Sequence, residues 1–336
     1  MKIWVTHGFS LRGVAAEMVR ARPGTDFLFS APDPDAPVRD VAAGFVVEPA
    51  GLGEDYPSWV LATALEHRVD AIVAQRGRGR IVAAVERFAA HGIAVHVAAD
   101  PATLELLDDK AAFAESLAGD AAACPTIAVR SAHECREAIA RLTADGATAC
   151  VKPSRGVYGA GYWTLDAADV FHHLRDPDAR RISAAAFLDS LKAAEDAGAA
   201  VDLLVMEHLP GIEASIDIVA RHGETLLAGV REKLAPGRQR IRTAHPVLDH
   251  ARQLVARHRL NGANNIQYKL DRHDAWKILE INTRPAGGAP YCDAVGIPFA
   301  ATWVDVIAGD ARPFEEDVDR EIVAVTRAEP RARLPQ

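Results

Sequence analysis

Near the C-terminal end, two short runs combine residue types that bind a divalent metal and phosphate. In Asn264-Asn265-Ile266-Gln267-Tyr268-Lys269-Leu270, alternate side chains share a face, so Asn265, Gln267 and Lys269 lie opposite Ile266, Tyr268 and Leu270. In Leu279-Glu280-Ile281-Asn282-Thr283-Arg284 the same period gathers Glu280, Asn282 and Arg284. A hairpin of these runs presents amides, a carboxylate and a guanidinium on one surface. Mg2+ takes one or two carboxylate or amide oxygens and fills its shell with phosphate, while arginine clamps a phosphoryl group in transfer. The set therefore suits a magnesium nucleotide, although alternation alone also describes a solvated polar face.

Two earlier stretches carry related chemistry. Val151-Lys152-Pro153-Ser154-Arg155-Gly156-Val157-Tyr158-Gly159-Ala160-Gly161 is a strand end entering a glycine-rich turn, where backbone N–H groups can approach phosphate and Lys152 supplies a point charge. By itself it reads as a plain hairpin turn sooner than as a phosphate loop. In Leu203-Leu204-Val205-Met206-Glu207-His208-Leu209-Pro210-Gly211-Ile212-Glu213, a buried strand leads into an extended hinge. Such a hinge can meet an adenine edge, and Glu213 beyond the turn can accept from ribose hydroxyls. Taken singly, Glu207 and Glu213 read as solvated turn carboxylates.

The elements that must position these groups fall into two styles. Over the first hundred residues, strands at Lys2–Thr6, Asp26–Ser30, Gly44–Val47, Ala71–Ala74 and Ala94–Ala98 alternate with helical stretches such as Tyr56–His67 and Arg80–His91. That order implies right-handed βαβ crossovers and a parallel, Rossmann-like sheet. Its glycine loops, Gly8 to Gly13 and Gly77 to Gly79, lack the GxGxxG spacing of a dinucleotide site, and no GxxxxGK[ST] loop occurs. A helix is predicted over Leu104–Leu117. Beyond about Asp202 strands dominate, with predicted hairpins joining 202–209 to 213–220 across Pro210-Gly211, 213–220 to 225–230, and 264–270 to 276–284. The fold class is thus α/β followed by α+β. Asp176 to Gly198 reads as a helical insertion with no assigned role, and the chain from Pro313 as one strand and a polar tail.

Length and composition bound the function. The 336 residues amount to about two domains at roughly 150 residues each. With 49% hydrophobic and 25% charged residues, the chain is an ordinary globular protein. The 46 acidic against 38 basic residues, net −8, give no excess with which to neutralise a nucleic-acid backbone. Cys124, Cys135, Cys150 and Cys292 lack metal-ligand spacing and are expected to be reduced. No apolar run spans a bilayer and the start turns polar early, so a cytoplasmic location without membrane contact is expected. Lysine is scarce: only seven occur, at 2, 110, 152, 192, 233, 269 and 277.

Together with Asp108-Asp109-Lys110-Ala111-Ala112-Phe113, the three stretches occur in the order found in the ATP-grasp superfamily, which includes biotin carboxylase, carbamoyl phosphate synthetase and D-alanine:D-alanine ligase. The resemblance covers roughly residues 100 to 310. It implies a Rossmann-like domain over 1–100, an ATP-grasp domain over 101–312 with a small mobile lid at about 120–205, and a C-terminal strand and tail over 313–336. By the same resemblance, Lys110 and Lys152 hold the nucleotide phosphates. The loop with Ser154, Gly156, Gly159 and Gly161 covers them. Glu207, His208 and Leu209 form the adenine hinge, and Glu213 accepts from ribose. Glu280, Asn282 and Gln267 ligate Mg2+ (or Mn2+), Arg284 contacts the transferring phosphate, and either Arg231 or Lys233 adds a γ-phosphate contact. Thr283 stands where proline is commoner, and Glu280 is the only carboxylate in the metal set.

What the resemblance implies is an ADP-forming ligase that uses ATP to join a carboxylate to an amine through an acyl phosphate. Positioning and charge neutralisation carry such phosphoryl transfer, in keeping with the absence of a GxSxG elbow or HExxH motif. A bicarbonate-dependent carboxylase or phosphoryl transferase, and a nucleotide-binding module without catalysis, are the alternatives. His7, Arg12, Arg76 and Arg78 at the strand ends of the first domain, with Gly287 and Gly288, are the candidate substrate selectors. The expected partners are small-molecule substrates and, in self-association, a second copy forming a homodimer.

Overall fold

The structure, a computed structural model, describes residues 1–7, 12–41, 43–155, 161–167, 172–176 and 179–324. Strands β1 (Lys2–Val5), β2 (Asp26–Ala31), β3 (Gly44–Val47), β4 (Ala71–Val73) and β5 (Ala94–His96) form a parallel sheet in the order β3-β2-β1-β4-β5. Both faces are covered, as parallel sheets require. Ile3 and Val5 pack on one side with Val14, Ala15 and Met18 of helix Arg12–Ala21. Trp4 packs on the other with Tyr56, Val60 and Ala64 of helix Tyr56–Glu66. The helix predicted at Arg80–His91 is two short helices, Arg78–Ala83 and Val85–Ala89, the first entered through Gly77 at φ +61°.

The helix predicted over Leu104–Leu117 is likewise broken. Pro101–Asp108 ends at Asp109, whose backbone is extended and whose carboxylate accepts from Ala111 N at 3.0 Å and Ala112 N at 3.1 Å. An N-cap of this kind starts a new helix, Lys110–Ser116, with Lys110 as its first residue.

Strands β6 (Thr126–Val129), β7 (Ala149–Pro153), β8 (Trp163–Leu165), β9 (Arg181–Ile182) and β10 (Leu203–Glu207) form a second sheet, β6-β10-β7-β8-β9. Helices Ala132–Leu142 and Ala184–Asp196 cover one face, with Cys135, Ala138 and Leu188 buried against Val151 and Val205. The 176–198 stretch therefore has a structural role: it supplies β9 and one covering helix.

A third, antiparallel sheet contains β11 (Glu213–Arg221), β12 (Glu224–Ala235), β13 (Arg238–Arg242), β14 (Gly262–Leu270), β15 (Trp276–Asn282) and β16 (Asp319–Val323), in the order β15-β14-β11-β12-β13-β16. The hairpins β11–β12 and β14–β15 form as predicted. The predicted hairpin of 202–209 with 213–220 does not: β10 lies between β6 and β7 in the second sheet, while β11 lies between β12 and β14 in the third. Pro210-Gly211 is a crossing between sheets. Gly211 N donates to Leu270 O at 3.0 Å and Leu270 N to Ile212 O at 3.1 Å, and an added Cβ at Gly211 would sit 2.4 Å from Leu270 Cβ. Only glycine permits this approach. The predicted C-terminal strand is β16, an edge strand of the third sheet, and the tail at 325–336 lies outside the described residues.

One face of the third sheet buries Ala214, Ile216, Ile218, Ile266 and Tyr268 under helix Leu248–Arg257. On the other face, helix Phe299–Ala308 joins the sheet to the parallel one, because Phe299, Trp303 and Ile307 share one core with Val219 and Leu227 and with Ile3, Val14 and Phe29. The parallel and antiparallel sheets are thereby fused through a common apolar layer.

Candidate active site

A cavity of about 260 Å³ lies between the second and third sheets. From the second sheet, strand alternation sends Cys150, Lys152 and Met206 to the cavity side, while Ala149, Val151 and Val205 face the covering helices. Lys152 is paired in register with Leu204 of β10. Burial pulls its pKa below the usual lysine range, opposed by the Glu280 carboxylate and reinforced by Lys110. Lys110 enters from the break at Asp109, and its backbone N donates to Ser154 O at 3.4 Å.

From the third sheet comes a polar stripe built of register pairs: Glu213 opposite Lys269, Ser215 opposite Gln267, and Asp217 opposite Asn265. Glu213, Gln267 and Lys269 line the cavity, and the Asp217–Asn265 end is buried. Next to it, Gln267 pairs with Glu280 and Asn265 with Asn282. A bulge between Gln267 and Tyr268 skips Leu279, so that Leu279 and Glu280 both reach the cavity while Ile278 and Ile281 both enter the core. The bulge leaves Glu280 and Asn282 in phase. Asn282 Nδ2 donates to Glu280 Oε1 at 2.9 Å, and Glu280 Oε2 lies 3.9 Å from Lys110 Nζ.

At the hinge, His208 N donates to Thr148 O at 2.7 Å and Glu207 N to Pro125 O at 3.0 Å, which fixes the strand exit. Glu207 and Leu209 line the cavity. His208 is turned to Tyr162, with Nδ1 and the hydroxyl hydrogen-bonded at 2.8 Å, and burial pulls its pKa down. The Glu207 side chain lies 3.5 Å from Arg272 Nε.

Seven of the residues singled out in the sequence thus share one cavity: Lys110, Lys152, Glu207, Leu209, Glu213, Gln267 and Glu280. Others are placed elsewhere. Arg231 is not on the cavity wall: its Nε donates to Asp217 Oδ2 at 2.5 Å and its Nη atoms to Ser215 Oγ at 3.1 Å and Gln239 Oε1 at 3.2 Å, with Gly288 backed against the guanidinium. Lys233 is exposed and bonded to Glu213 Oε1 at 2.6 Å. Arg284 is half-buried two residues past β15. Ser154 is buried, its N bonded to Asp202 O at 3.2 Å. Gly161, at φ +74°, packs its α-carbon on the Pro153 ring, while Gly156 and Gly159 lie outside the described residues.

The candidate selectors of the first sheet are mostly anchored. Arg76 bonds buried Glu48 at 3.1 Å and the carbonyls of Pro49 and Ala50 at 2.7 and 2.6 Å, and lies over the Tyr56 ring. Glu48 also accepts from His7 N at 2.6 Å, and burial pulls the His7 pKa down. Arg78 donates to Thr283 and to Asp108. Arg12 is exposed at the start of its helix, beside Gly13, which abuts Pro290. Gly287 is exposed and Gly288 half-buried.

Sequence reading missed Cys150, Pro153, Tyr162, Met206 and Leu279 on the cavity wall and gave Lys269 no role. Cys150 was accessible from alternation about Lys152, whereas alternation sets Met206 opposite its neighbour Glu207. Leu279 was not accessible, because only the bulge turns it. Burial pulls the Lys269 pKa down while Glu213 opposes this. The four cysteines are free and buried, and burial pushes the Cys150 thiol up to about 11.

Among the described residues no group of three or more His, Cys, Asp or Glu side chains forms a metal cage. Mg2+ bound with a nucleotide needs none, since phosphates complete its shell. Gln267 and Glu280 line the cavity, Asn282 outside its lining is hydrogen-bonded to Glu280, and as a carboxylate and two amides the three suit that ion. No helix among the described residues is long and apolar enough to cross a membrane.

No curated protein matches the chain. Residues 199–329 match the family described as ATP-grasp in the biosynthetic pathway with Ter operon. Among solved structures, the chain is similar to N5-carboxyaminoimidazole synthetase from Staphylococcus aureus, with 15% identity, TM-score 0.66, and 93% of this chain and 78% of that one covered. It is also similar to a biotin carboxylase–beta-gamma-ATP complex from Campylobacter jejuni (18%, TM-score 0.62, 93% and 72%) and to an L-amino acid ligase from Bacillus licheniformis (13%, TM-score 0.60, 93% and 77%). At these identities the likeness is one of fold. Residues 199–329, which include the third sheet, thus match an ATP-grasp family, and the chain over most of its length shares the fold of these solved structures.

Proposed function

We propose that the protein is an ATP- and Mg2+-dependent, ADP-forming ligase that joins a carboxylate to an amine. The observation that carries this reading is the convergence of Lys110, Lys152, Gln267 and Glu280 on one cavity whose other walls, Cys150, Met206, Leu209 and Tyr162, suit a purine. The hinge Glu207–Leu209 meets the base and Glu213 accepts from ribose. Lys110 and Lys152 hold the phosphates. Glu280, Asn282 and Gln267 would hold Mg2+, which when bound neutralises phosphate charge. The carboxylate oxygen of the substrate attacks the γ-phosphorus, the bond to the β-phosphate oxygen breaks, and ADP leaves. The amine nitrogen then attacks the acyl carbon, phosphate departs, and the amine proton passes to solvent. Arg284, half-buried two residues past β15, is assigned to the transferred phosphoryl group, and no protein nucleophile is required.

The matched family's description and the ligase and carboxylase titles among the similar structures support a biosynthetic ligation or carboxylation as the class. The test is an ADP-release screen across carboxylate and amine pairs, run with and without bicarbonate. ADP release that needs both a carboxylate and an amine, and is lost in the Glu280→Ala/Arg284→Ala double variant, is expected. Release unaffected by the double variant overturns the reading. Dependence on bicarbonate replaces it with a carboxylase, and Mg·ATP binding without turnover on any pair replaces it with a non-catalytic module.

A further inference from the structure

Arg78 bridges two chain segments far from it in sequence. Its Nη1 donates to Thr283 O at 3.3 Å and to Thr283 Oγ1, and its Nη2 donates to Asp108 Oδ2 at 2.7 Å. Thr283 is buried between Asn282 and Arg284, one residue past the end of β15. Asp108 closes its helix two residues before Lys110. The two segments therefore carry the metal-side and lysine-side groups of the cavity. Arg78 is itself fixed: it follows Gly77, which holds φ +61° with the Tyr56 ring so close that an added Cβ would meet it at 2.8 Å.

We propose that Arg78 is a positioning residue that sets the Glu280–Asn282 strand end against the Lys110 helix, so that the parallel sheet fixes the spacing of the metal and phosphate groups. This inference rests on the Mg·ATP reading of the cavity. A guanidinium is suited to the task because its planar fork donates in two directions at once, which one ammonium cannot do in the same geometry. It also gives Thr283 a use that proline could not serve, since the hydroxyl accepts from Arg78.

The test separates metal from nucleotide affinity. ADP binding is measured by calorimetry without divalent cation, and Mn2+ binding by the loss of its free paramagnetic signal in the presence of a hydrolysis-resistant ATP analogue. In Arg78→Met, metal-free ADP affinity is expected within about twofold of the unaltered protein and Mn2+ affinity about tenfold lower. Arg78→Lys should restore part of that loss. Thr283→Val should reproduce much of it with Arg78 intact, and combining it with Arg78→Met should add little, because the two act through one contact. Unchanged Mn2+ affinity in both single variants, or an equal fall in metal-free ADP affinity, overturns the positioning role alone. If the unaltered protein binds neither nucleotide, the Mg·ATP reading falls and this inference falls with it.

Discussion

Lys110 Nζ and Glu280 Oε2 stand 3.9 Å apart in the cavity between the second and third sheets, one at the first turn of a helix and the other on β15. A triphosphate entering the cavity would meet the lysine directly and the carboxylate through a metal, so the two substitutions should separate. Lys110→Met is expected to weaken ADP binding with or without Mg2+ by about tenfold, or about 1.4 kcal/mol. Glu280→Gln should leave metal-free binding intact and abolish the gain on adding Mg2+. Calorimetry under both conditions checks this, and identical behaviour of the two variants would count against the assignment.

Arg231 belongs to the stability of the third sheet. It is 3% exposed, and Asp217, 0% exposed, also accepts from Asn265 Nδ2 at 2.9 Å. Removing one partner of a buried pair leaves the other charge unsolvated, at a cost of about 3–5 kcal/mol. Arg231→Met should lower the urea midpoint by a corresponding amount, and adding Asp217→Leu should recover a substantial part. A midpoint unmoved by Arg231→Met would show the charge to be satisfied by some other route.

Gly211 ties the nucleotide hinge to β14. A methyl group there would overlap Leu270 Cβ at 2.4 Å and approach its carbonyl oxygen at 3.0 Å, so backbone must move. Because Leu209 and Lys269 flank this crossing and both line the cavity, Gly211→Ala should reduce ADP affinity severalfold. Gly24→Ala, where nothing lies within 4 Å, should not. Equal affinities in the two variants would remove the crossing from the site.

The cavity's third-sheet wall was legible because strand period is a local property: Gln267, Glu280 and Asn282 fall on one face by counting. Counting also puts Leu279 on the wrong face, because a bulge is set by the partner strand's register and no residue type near 279 announces it. Pairing is less legible still. The β10 and β11 runs are flanked by turn chemistry that suits a hairpin, yet β10 finds partners on both sides in β6 and β7, and Pro210-Gly211 serves a crossing. The arginines of 76–80 show the limit of composition. Buried Glu48 and two carbonyls bind Arg76 tightly, and nothing in a run of arginines distinguishes an anchored guanidinium from one waiting for an anion.

Asp293 gives the joint between the parallel and antiparallel sheets a pH dependence. Its Oδ1 accepts from Ala300 N at 3.1 Å at the start of helix Phe299–Ala308, and its Oδ2 is buried without a hydrogen-bond partner among the described residues. Burial, with Glu17 adding to it, pushes the carboxyl up to about 7, against the opposing pull of the Ala300 N–H and Arg20. The unfolded chain releases this proton near 3.8, so between about pH 4 and 7 the folded state holds more protons than the unfolded one. The stabilising contribution is therefore complete below the unfolded value, declines as pH rises, and is gone above about 7, with a slope of at most about 1.4 kcal/mol per pH unit. Asp293→Asn keeps an acceptor for Ala300 and removes the titration. The variant should come close to the unaltered protein in melting temperature near pH 4.5 and exceed it at pH 8, the gap opening across the interval and widening no further above about pH 7. Parallel melting curves from pH 4.5 to 8 would place the carboxyl in contact with water and remove the dependence.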